Sequence, residues 1–372
     1  MRPSALLAAS GAAAVVAFLV LKRLKHTGLP ASEMQPIPAS MAAVVARDGR
    51  CVLDDSVPAP KMGDNDVMIK VVVTAINRLD CNQRAGKLPV PPEVTEVLGL
   101  EVAGVIVGKG KAVGTAYALG DEVLALVPGG GYGEFVSVDV VTVMRKPKSM
   151  PWEVAGSIPE AWLTAYKLVH VVGKVQAGEV VLIHAAASGV GIAAIQLVVA
   201  AGATAIATVG SREKLELCVK LGAIGGAVRH DGPWLDRVTE LAKSKGGKVH
   251  LVLDPVASNY AKQNLEVMGI DGRWVLYSLL SGPALPDDLG KTFLAQLARK
   301  RISLLATTLR TRPRAFKAAL VDAFTRDVLP KIGRDGGFSH LIDRTFHGLN
   351  EAQTAHELME TNANSGKIVL RL

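Results

Sequence analysis

Short apolar runs bounded by glycine and proline fill the first part of the chain, and longer apolar stretches that switch between strand and helix period fill the rest. Met41–Val45, Val67–Ala75, Val102–Val107, Asp121–Leu126 and Gly133–Val138 are β-rich pieces between turn residues, the spacing expected of a small twisted β-barrel. From Val180 the pattern changes. Val180–Ile183 is a continuous apolar strand and Val190–Ala201 a helix that is apolar nearly all round, as elements pressed into a parallel sheet should be. The alternation continues through a strand at His250–Leu253, a helix around Asn259–Met268, a strand at Arg273–Leu279, a helix over Leu289–Lys300 and a strand at Ile302–Leu309. It predicts a doubly wound parallel sheet. Arg314–Leu329 reads as another helix, with Pro313 suited to its first turn and Pro330 to its stop, and Lys367–Leu370 reads as a strand that rejoins the barrel.

Between the strand at Val180 and the helix at Val190 lies a turn of small residues, Ala186–Gly191. A strand, a tight small-residue turn and a helix form the unit that brings bare backbone N–H groups and a helix N-terminus up to a pyrophosphate, with one residue near the sheet that must lack a side chain. Gly191 fits that place. Ala186 and Ser188 stand where the first two glycines of G-x-G-x-x-G would be, so the assignment to a dinucleotide rests on the surrounding strand–helix–strand context. About 20 residues past such a turn, NAD-binding folds place an acid on the ribose 2′-hydroxyl. Here that place holds Gly210, followed by Ser211, Arg212 and Lys214, with Glu213 the only carboxylate nearby. A 2′-phosphate would gain charge-assisted hydrogen bonds from this cluster, so NADPH is expected, the alternative being that these charges are merely solvated.

Composition narrows the class. The chain has 372 residues, 49% hydrophobic and 20% charged, enough for a large core and about two domains. Its net charge of +8 is spread along the sequence without a basic stripe interleaved with aromatics, so no nucleic acid is expected as a partner. Cys51, Cys81 and Cys218 lie far apart and form no C-x-x-C pair, which excludes a disulfide framework or an all-cysteine zinc site. Ala5–Leu21 is 17 residues without a charge, followed by Lys22, Arg23 and Lys25. As a helix it would reach about 25 Å, a marginal membrane span. The expectation is a single N-terminal anchor with the body on the cytosolic side; a removed targeting peptide, mitochondrial or secretory, and an unanchored tail are the alternatives. Residues 26–40, with Pro30, Pro36 and Pro38, read as a linker.

Several stretches together carry a family resemblance: Asn77-Arg78 with Asp80 and Gln83-Arg84, Leu98–Glu101, Pro128–Gly131, Ile158–Ala165, Val181–Ala185, Asp271–Tyr277 and Gly366–Leu370. From about Met41 to its end the chain resembles the zinc-independent quinone oxidoreductases of the medium-chain dehydrogenase/reductase superfamily, most closely the zeta-crystallin-related, tumour-suppressor-inducible branch. The resemblance implies an α/β protein in which a GroES-like β-barrel catalytic domain is split around an inserted Rossmann domain. The corresponding division is 1–25 anchor or targeting segment, 26–40 linker, 41–159 first catalytic part, 160–306 Rossmann NADPH-binding domain and 307–372 second catalytic part. It implies a homodimer as well.

The resemblance also implies a chemistry. Zinc alcohol dehydrogenases of the superfamily carry G-H-E where this chain has Gly99-Leu100-Glu101, and leucine cannot ligate a metal, so no metal site is expected. Hydride from NADPH would pass to a quinone or similarly polarised conjugated carbonyl, with water supplying protons. Asn77 is implied near nicotinamide and substrate, and Tyr132 on the glycine loop as a hydrogen-bond donor; for these the plainer readings are a turn-stabilising Asn and a packed loop aromatic. Thr164, Ser188, Gly189, Val190, Gly210, Ser211, Lys214, Tyr277, Ser278, Leu279, Thr308, Leu309 and Arg310 match cofactor-contacting segments of the family. Two positions depart from it. Leu88 stands where members commonly have a tyrosine that lines the site, and His230 stands near the place of a second tyrosine at the adenosine end. An alkenal or enoyl double-bond reductase, or a weakly catalytic NADPH-binding interaction module, are the alternative functions.

Overall fold

The computed structural model describes residues 37–333 and 337–372. The first seven strands are β1 (Ser40–Arg47), β2 (Arg50–Pro58), β3 (Asp66–Ile76), β4 (Glu101–Lys109), β5 (Glu122–Leu126), β6 (Phe135–Asp139) and β7 (Val143–Arg145). β1 and β2 form an antiparallel hairpin, and β3 is the axis of the larger sheet, pairing antiparallel with both β4 and β6. Along β3, Val67 and Ile69 enter one core, Val73 and Ala75 a second and Ile76 a third, so the strand is buried on both faces. Its tip carries helix α1 (Arg78–Arg84), capped by Asn77.

Helix α2 (Pro159–Tyr166) leads into the second sheet. Its strands are β8 (Val180–Ile183), β9 (Thr204–Val209), β10 (Gly226–Val228), β11 (Val249–Asp254), β12 (Met268–Leu276) and β13 (Ser303–Ala306), in the order β10-β9-β8-β11-β12-β13 and all parallel. Four further helices run between them: α3 (Gly189–Ala200), α4 (Arg212–Lys220), α5 (Trp234–Lys243) and α6 (Ala261–Val267), with α7 (Phe293–Lys300) before β13. Residues of β8 alternate between two separate cores, Val181 and Ile183 toward α2 and α3, Val180 and Leu182 toward α5 and α6. Both faces are covered, which is why the strand reads as an unbroken apolar run. Helix α8 (Arg314–Asp327), strand β14 (Ile342–His347), helix α9 (Ala352–Thr361) and strand β15 (Lys367–Arg371) complete the chain, β15 pairing antiparallel with β3 so that the C-terminus closes the first sheet. This is a GroES-like barrel joined to a Rossmann-type parallel sheet.

Several expected elements shift in the structure. The helix expected over Leu289–Lys300 is broken at Lys291–Thr292, and β13 stops at Ala306 rather than Leu309. β12 begins at Met268, well before Arg273; its first residues Gly269, Asp271 and Gly272 break the apolar pattern, Asp271 at a left-handed φ of 64°, and the register with β11 shifts across them. The expected membrane anchor is corrected as well. Among the described residues no helix is long and apolar enough to cross a membrane. The longest, α8, has 14 residues and carries Arg314, Lys317, Asp322, Arg326 and Asp327, so it would span about 21 Å with five charges in the hydrocarbon. The Ala5–Leu21 run lies outside the described residues, and the anchor, the membrane partner and the cytosolic placement built on it are withdrawn.

One contact fixes the turn between β8 and α3. A Cβ on Gly191 would sit 2.5 Å from the Ala186 carbonyl oxygen, so any side chain there must push the helix off the strand. Gly191→Ala should therefore destabilise the protein by about 1–3 kcal/mol, read as a lowered urea midpoint with unchanged slope.

Candidate active site

The end of β3, the start of β4 and the start of β15 meet beside α2, and three polar side chains converge there. Lys367 Nζ donates to Glu101 Oε1 at 2.7 Å, to Asn77 Oδ1 at 2.6 Å and to the Ile76 carbonyl at 3.1 Å. Asn77 Nδ2 donates to Glu101 Oε1 at 2.9 Å and to the Ala75 carbonyl at 3.3 Å. Glu101 Oε2 accepts the backbone N–H of Glu160 at 2.9 Å, which ties the barrel to the first turn of α2. Glu101 is wholly buried and Lys367 is 3% exposed. With both amide hydrogens engaged, Asn77 has only its Oδ1 left to offer a ligand.

Tyr132 lies behind this group. It is wholly buried in the barrel core, and its hydroxyl stands 3.2 Å from Asp80 Oδ2 and 3.1 Å from His356 Nε2. Burial pushes the Asp80 carboxyl up to about 7 and the His356 imidazole down to about 3. With Tyr132 donating to Asp80, a neutral His356 bearing its proton on Nε2 donates to the tyrosine oxygen, and His356 Nδ1 and Asp80 Oδ1 stay buried without partners. Asp80 Oδ2 also accepts the Asn77 backbone N–H at 2.8 Å. That burial corrects the donor role expected of Tyr132 toward a ligand: it reaches the site only through Asp80 and the Asn77 backbone.

The other expected residues follow the carboxyl ends of the parallel strands, where open α/β sheets hold ligands. Ser188 caps α3, its Oγ accepting the Gly191 N–H at 3.1 Å, and Gly189 and Val190 form the first turn. The Lys367 stem runs across that turn: a Cβ on Gly189 would fall 2.6 Å from Lys367 Cδ. Thr164, on α2, is buried with no partner for its Oγ1. After β9, Gly210 is followed by Ser211, which caps α4. Lys214 Nζ donates to the carbonyls of Asn362 and Asn364, both at 2.7 Å, and burial lowers its pKa. Arg212 faces away and pairs with Asp231 at the surface. After β10, His230 accepts from Arg229 Nε at 3.1 Å. Tyr277, Ser278 and Leu279 follow β12, and Thr308, Leu309 and Arg310 follow β13, with Leu279 exposed and Leu309 buried. Arg310 bridges to the barrel through Gln83 Oε1 at 2.9 Å and the Pro128 carbonyl at 2.7 Å, leaving a buried Nη2 without a partner. Leu88 is half-buried just beyond α1.

Two residues escaped the sequence reading. Arg229 places its guanidinium 3.7 Å from where a side chain on Gly210 would begin, at the tip of β9. Glu160 lines a cavity of about 290 Å³ together with Leu100, Leu126, Pro128, Arg310 and Lys317. Neither carries a sequence signal, since a basic residue after a strand and a glutamate in the first turn of a helix are both ordinary.

The barrel region Gly63–Lys148 matches the family described as alcohol dehydrogenase GroES-like domain, and Gly189–Arg326 matches the family described as zinc-binding dehydrogenase. The chain belongs to the medium-chain dehydrogenase/reductase superfamily. It is 27% identical over 314 residues to the probable quinone oxidoreductase of Schizosaccharomyces pombe, covering 84% of this chain and 90% of that one. It is 31% identical over 338 residues to Highly-reducing polyketide synthase 1 of Aureobasidium melanogenum; the match covers 89% of this chain but spans only 14% of the synthase. Among solved structures, the CurK enoyl reductase superposes with a TM-score of 0.75 at 27% identity, over 89% of this chain and 99% of that one. The quinone oxidoreductase of Thermus thermophilus, solved also as its complex with NADPH, gives 0.72 at 28% identity, over 89% and 100%.

This medium-chain dehydrogenase/reductase is accordingly an NAD(P)H-dependent oxidoreductase. Its residues fit a nicotinamide cofactor: a small-residue turn at a helix N-terminus and an orphaned Arg310 nitrogen follow the carboxyl ends of parallel strands, and an orphaned Thr164 hydroxyl lies on α2, which packs in one core with α3. They do not fit the zinc that one family description names. Leu100 offers no donor, and among the described residues no three His, Cys, Asp or Glu side chains gather closely enough to hold an ion. Replacing Lys367 by Met leaves Glu101 buried without its counter-charge. That substitution should cost about 3–5 kcal/mol, measured by equilibrium urea unfolding.

Proposed function

We propose that this chain is a zinc-independent, NADPH-dependent reductase of quinones and similarly polarised conjugated carbonyls, acting as a homodimer. The observation that carries the reading is Leu100: an apolar side chain lines the cleft cavity at the position where zinc relatives place a ligand, so the site is built for acceptors that take hydride without a Lewis acid. The names borne by the relatives from S. pombe and T. thermophilus support the quinone as acceptor.

In this reading the chain's work is binding and orientation. Ser188, Gly189 and Val190 offer the N-terminus of α3 to the pyrophosphate. Ser211, Lys214 and Arg229 converge on the tip of β9, where Gly210 leaves room for a 2′-phosphate, and Lys214 would exchange the Asn362 and Asn364 carbonyls for that anion. His230 lies at the adenosine end. Thr164, the Tyr277–Leu279 turn and the Thr308–Arg310 turn flank the nicotinamide, with Asn77 presenting Oδ1 from the barrel side. The bound nicotinamide supplies the hydride. β13 is an edge strand whose Leu304 is 40% exposed, a surface on which a second copy would extend the sheet.

An enoyl or alkenal double-bond reductase is the second reading, favoured by the likeness to the CurK enoyl reductase. Oxidation of NADPH and NADH by the purified protein lacking residues 1–36 separates these, run with 1,4-benzoquinone, 9,10-phenanthrenequinone and an alkenal. Quinone turnover preferring NADPH supports the first reading, alkenal turnover alone supports the second, and NADPH binding without turnover of any acceptor points to an interaction module. Lys214→Ala and Arg229→Ala should each weaken NADPH binding roughly 10-fold and leave NADH binding nearly unchanged, measured by titration of nucleotide fluorescence.

A further inference from the structure

Helix α2 carries polar groups that the fold does not use. Glu160 and Thr164 lie one turn apart on the same face of the helix. The Glu160 backbone is anchored on Glu101, yet among the described residues its carboxylate has neither a hydrogen-bond partner nor a counter-ion within ion-pair distance. It opens into the cavity beside Leu100, Leu126 and Pro128. Burial beside these apolar side chains favours the neutral, proton-bearing form of the carboxyl, against the cations Arg310 and Lys317 that line the same cavity. Of the other protic groups nearby, both Asn77 amide hydrogens go to the barrel, Tyr132 is buried on Asp80 and His356, and Lys317 donates to the Arg310 carbonyl at 2.8 Å, while the unpartnered Arg310 Nη2 and Thr164 Oγ1 belong to a guanidinium and a hydroxyl that are far weaker acids than a carboxyl.

We propose that Glu160 is the general acid of this cleft, giving its carboxyl proton to the carbonyl oxygen of the acceptor as hydride arrives. The inference rests on the reductase reading above. Hydride adds at one end of the conjugated acceptor, an electron pair is displaced onto the carbonyl oxygen at the other, and an O–H bond forms there as the carboxyl O–H bond breaks. The carboxylate regains a proton from water at the cavity mouth. Each cycle thus consumes one reduced nicotinamide and one proton and releases one oxidised nicotinamide and the reduced acceptor. Thr164 sits one turn further along the same face, so acid and cofactor site share a rigid element.

The charges around Glu160 come from every neighbouring element: Glu101 on β4, Asp80 on α1, Lys367 on β15, Lys167 just past the end of α2, Arg310 before α8 and Lys317 within it. Asp66, Asp139 and Arg314 stand on the far wall, the last two paired with each other. Burial, then the Glu101 charge, raises the Glu160 carboxyl, and Lys167 and Lys367 oppose the rise. The acid form therefore dominates on the low-pH side, and wild-type kcat should fall as pH rises through about 7.

The decisive comparison is Glu160→Gln and Glu160→Asp against the wild type. Glu160→Gln should lower kcat with a quinone or alkenal about 100-fold and abolish the descending limb, while leaving NADPH affinity within about twofold; Glu160→Asp should restore part of the rate and the limb. In protein carrying ¹³C at the glutamate carboxyls, without cofactor, one resonance should titrate near 7 and vanish in Glu160→Gln. A kcat within twofold of wild type with the limb intact overturns the proposal, as does a Glu160 resonance that titrates in the ordinary carboxylate range. Wild-type protein that binds NADPH but turns over no acceptor removes the reductase reading and with it the acid role. Turnover by wild type with an unaffected Glu160→Gln removes the Glu160 assignment alone.

Discussion

The buried ion pair between Lys367 and Glu101 is the constraint on which the rest of the site hangs. Two charges withdrawn from water cost more than their attraction returns unless every remaining donor and acceptor is also satisfied. Here they are. Lys367 directs three hydrogen bonds to Glu101, Asn77 and the Ile76 carbonyl, and Glu101 accepts from Lys367, Asn77 and the backbone of Glu160. The pair consequently joins four pieces of chain: the tip of β3, the start of β4, the first turn of α2 and the start of β15. Because the Lys367 stem also lies against Gly189, the dinucleotide turn is registered against the barrel by the same side chain.

That arrangement accounts for the division of labour between the two sheets. The parallel sheet presents backbone N–H groups, short side chains and cations along its carboxyl edge, which suits a large polyanion and makes few demands on side-chain chemistry. The barrel supplies rigidity instead. Asn77 is fixed by Lys367, Glu101 and Asp80, Asp80 by Tyr132, and Tyr132 by His356, so the barrel wall of the cleft is backed by a chain of buried hydrogen bonds. A second buried set, His184 with Thr208 and Asn264, and Asn264 with Asp254, does the same beneath the turn after β8.

What could be read from the sequence follows from locality. β8, its turn and α3 are legible because an unbroken apolar strand, a capping serine and a glycine that must pack on the strand are adjacent in the chain. The alternation of strands and helices announces the parallel sheet for the same reason. β2, β7, β10 and β14 are missed: the burial of β2 and β14 is irregular, and β7 and β10 are three residues long. Tyr132 illustrates a different failure. A tyrosine on a glycine loop has the residue type of a ligand donor, and only the packing of β1 and α9 around it shows where its hydroxyl goes. Glu160 is the converse, an ordinary helix-start acid until residues such as Leu100, 60 positions upstream, and Arg310, 150 downstream, assemble a cavity around it.

Leucine at position 100 changes what the site must do electrostatically. In a metal-dependent relative the charge that builds on substrate oxygen is met by a cation fixed by three or four ligands. A hydrocarbon in that place removes the ligand and lowers the local dielectric, which makes any charge developing nearby more costly and any protic group nearby more valuable. The cleft answers with a different set: a cationic rim from Arg310 and Lys317, a glutamate whose burial favours the proton-bearing form, and an asparagine whose amide is locked by a buried ion pair. In the proposed reading such a set would favour acceptors that spread charge over a conjugated system before protonation, because delocalisation lightens the load on each contact.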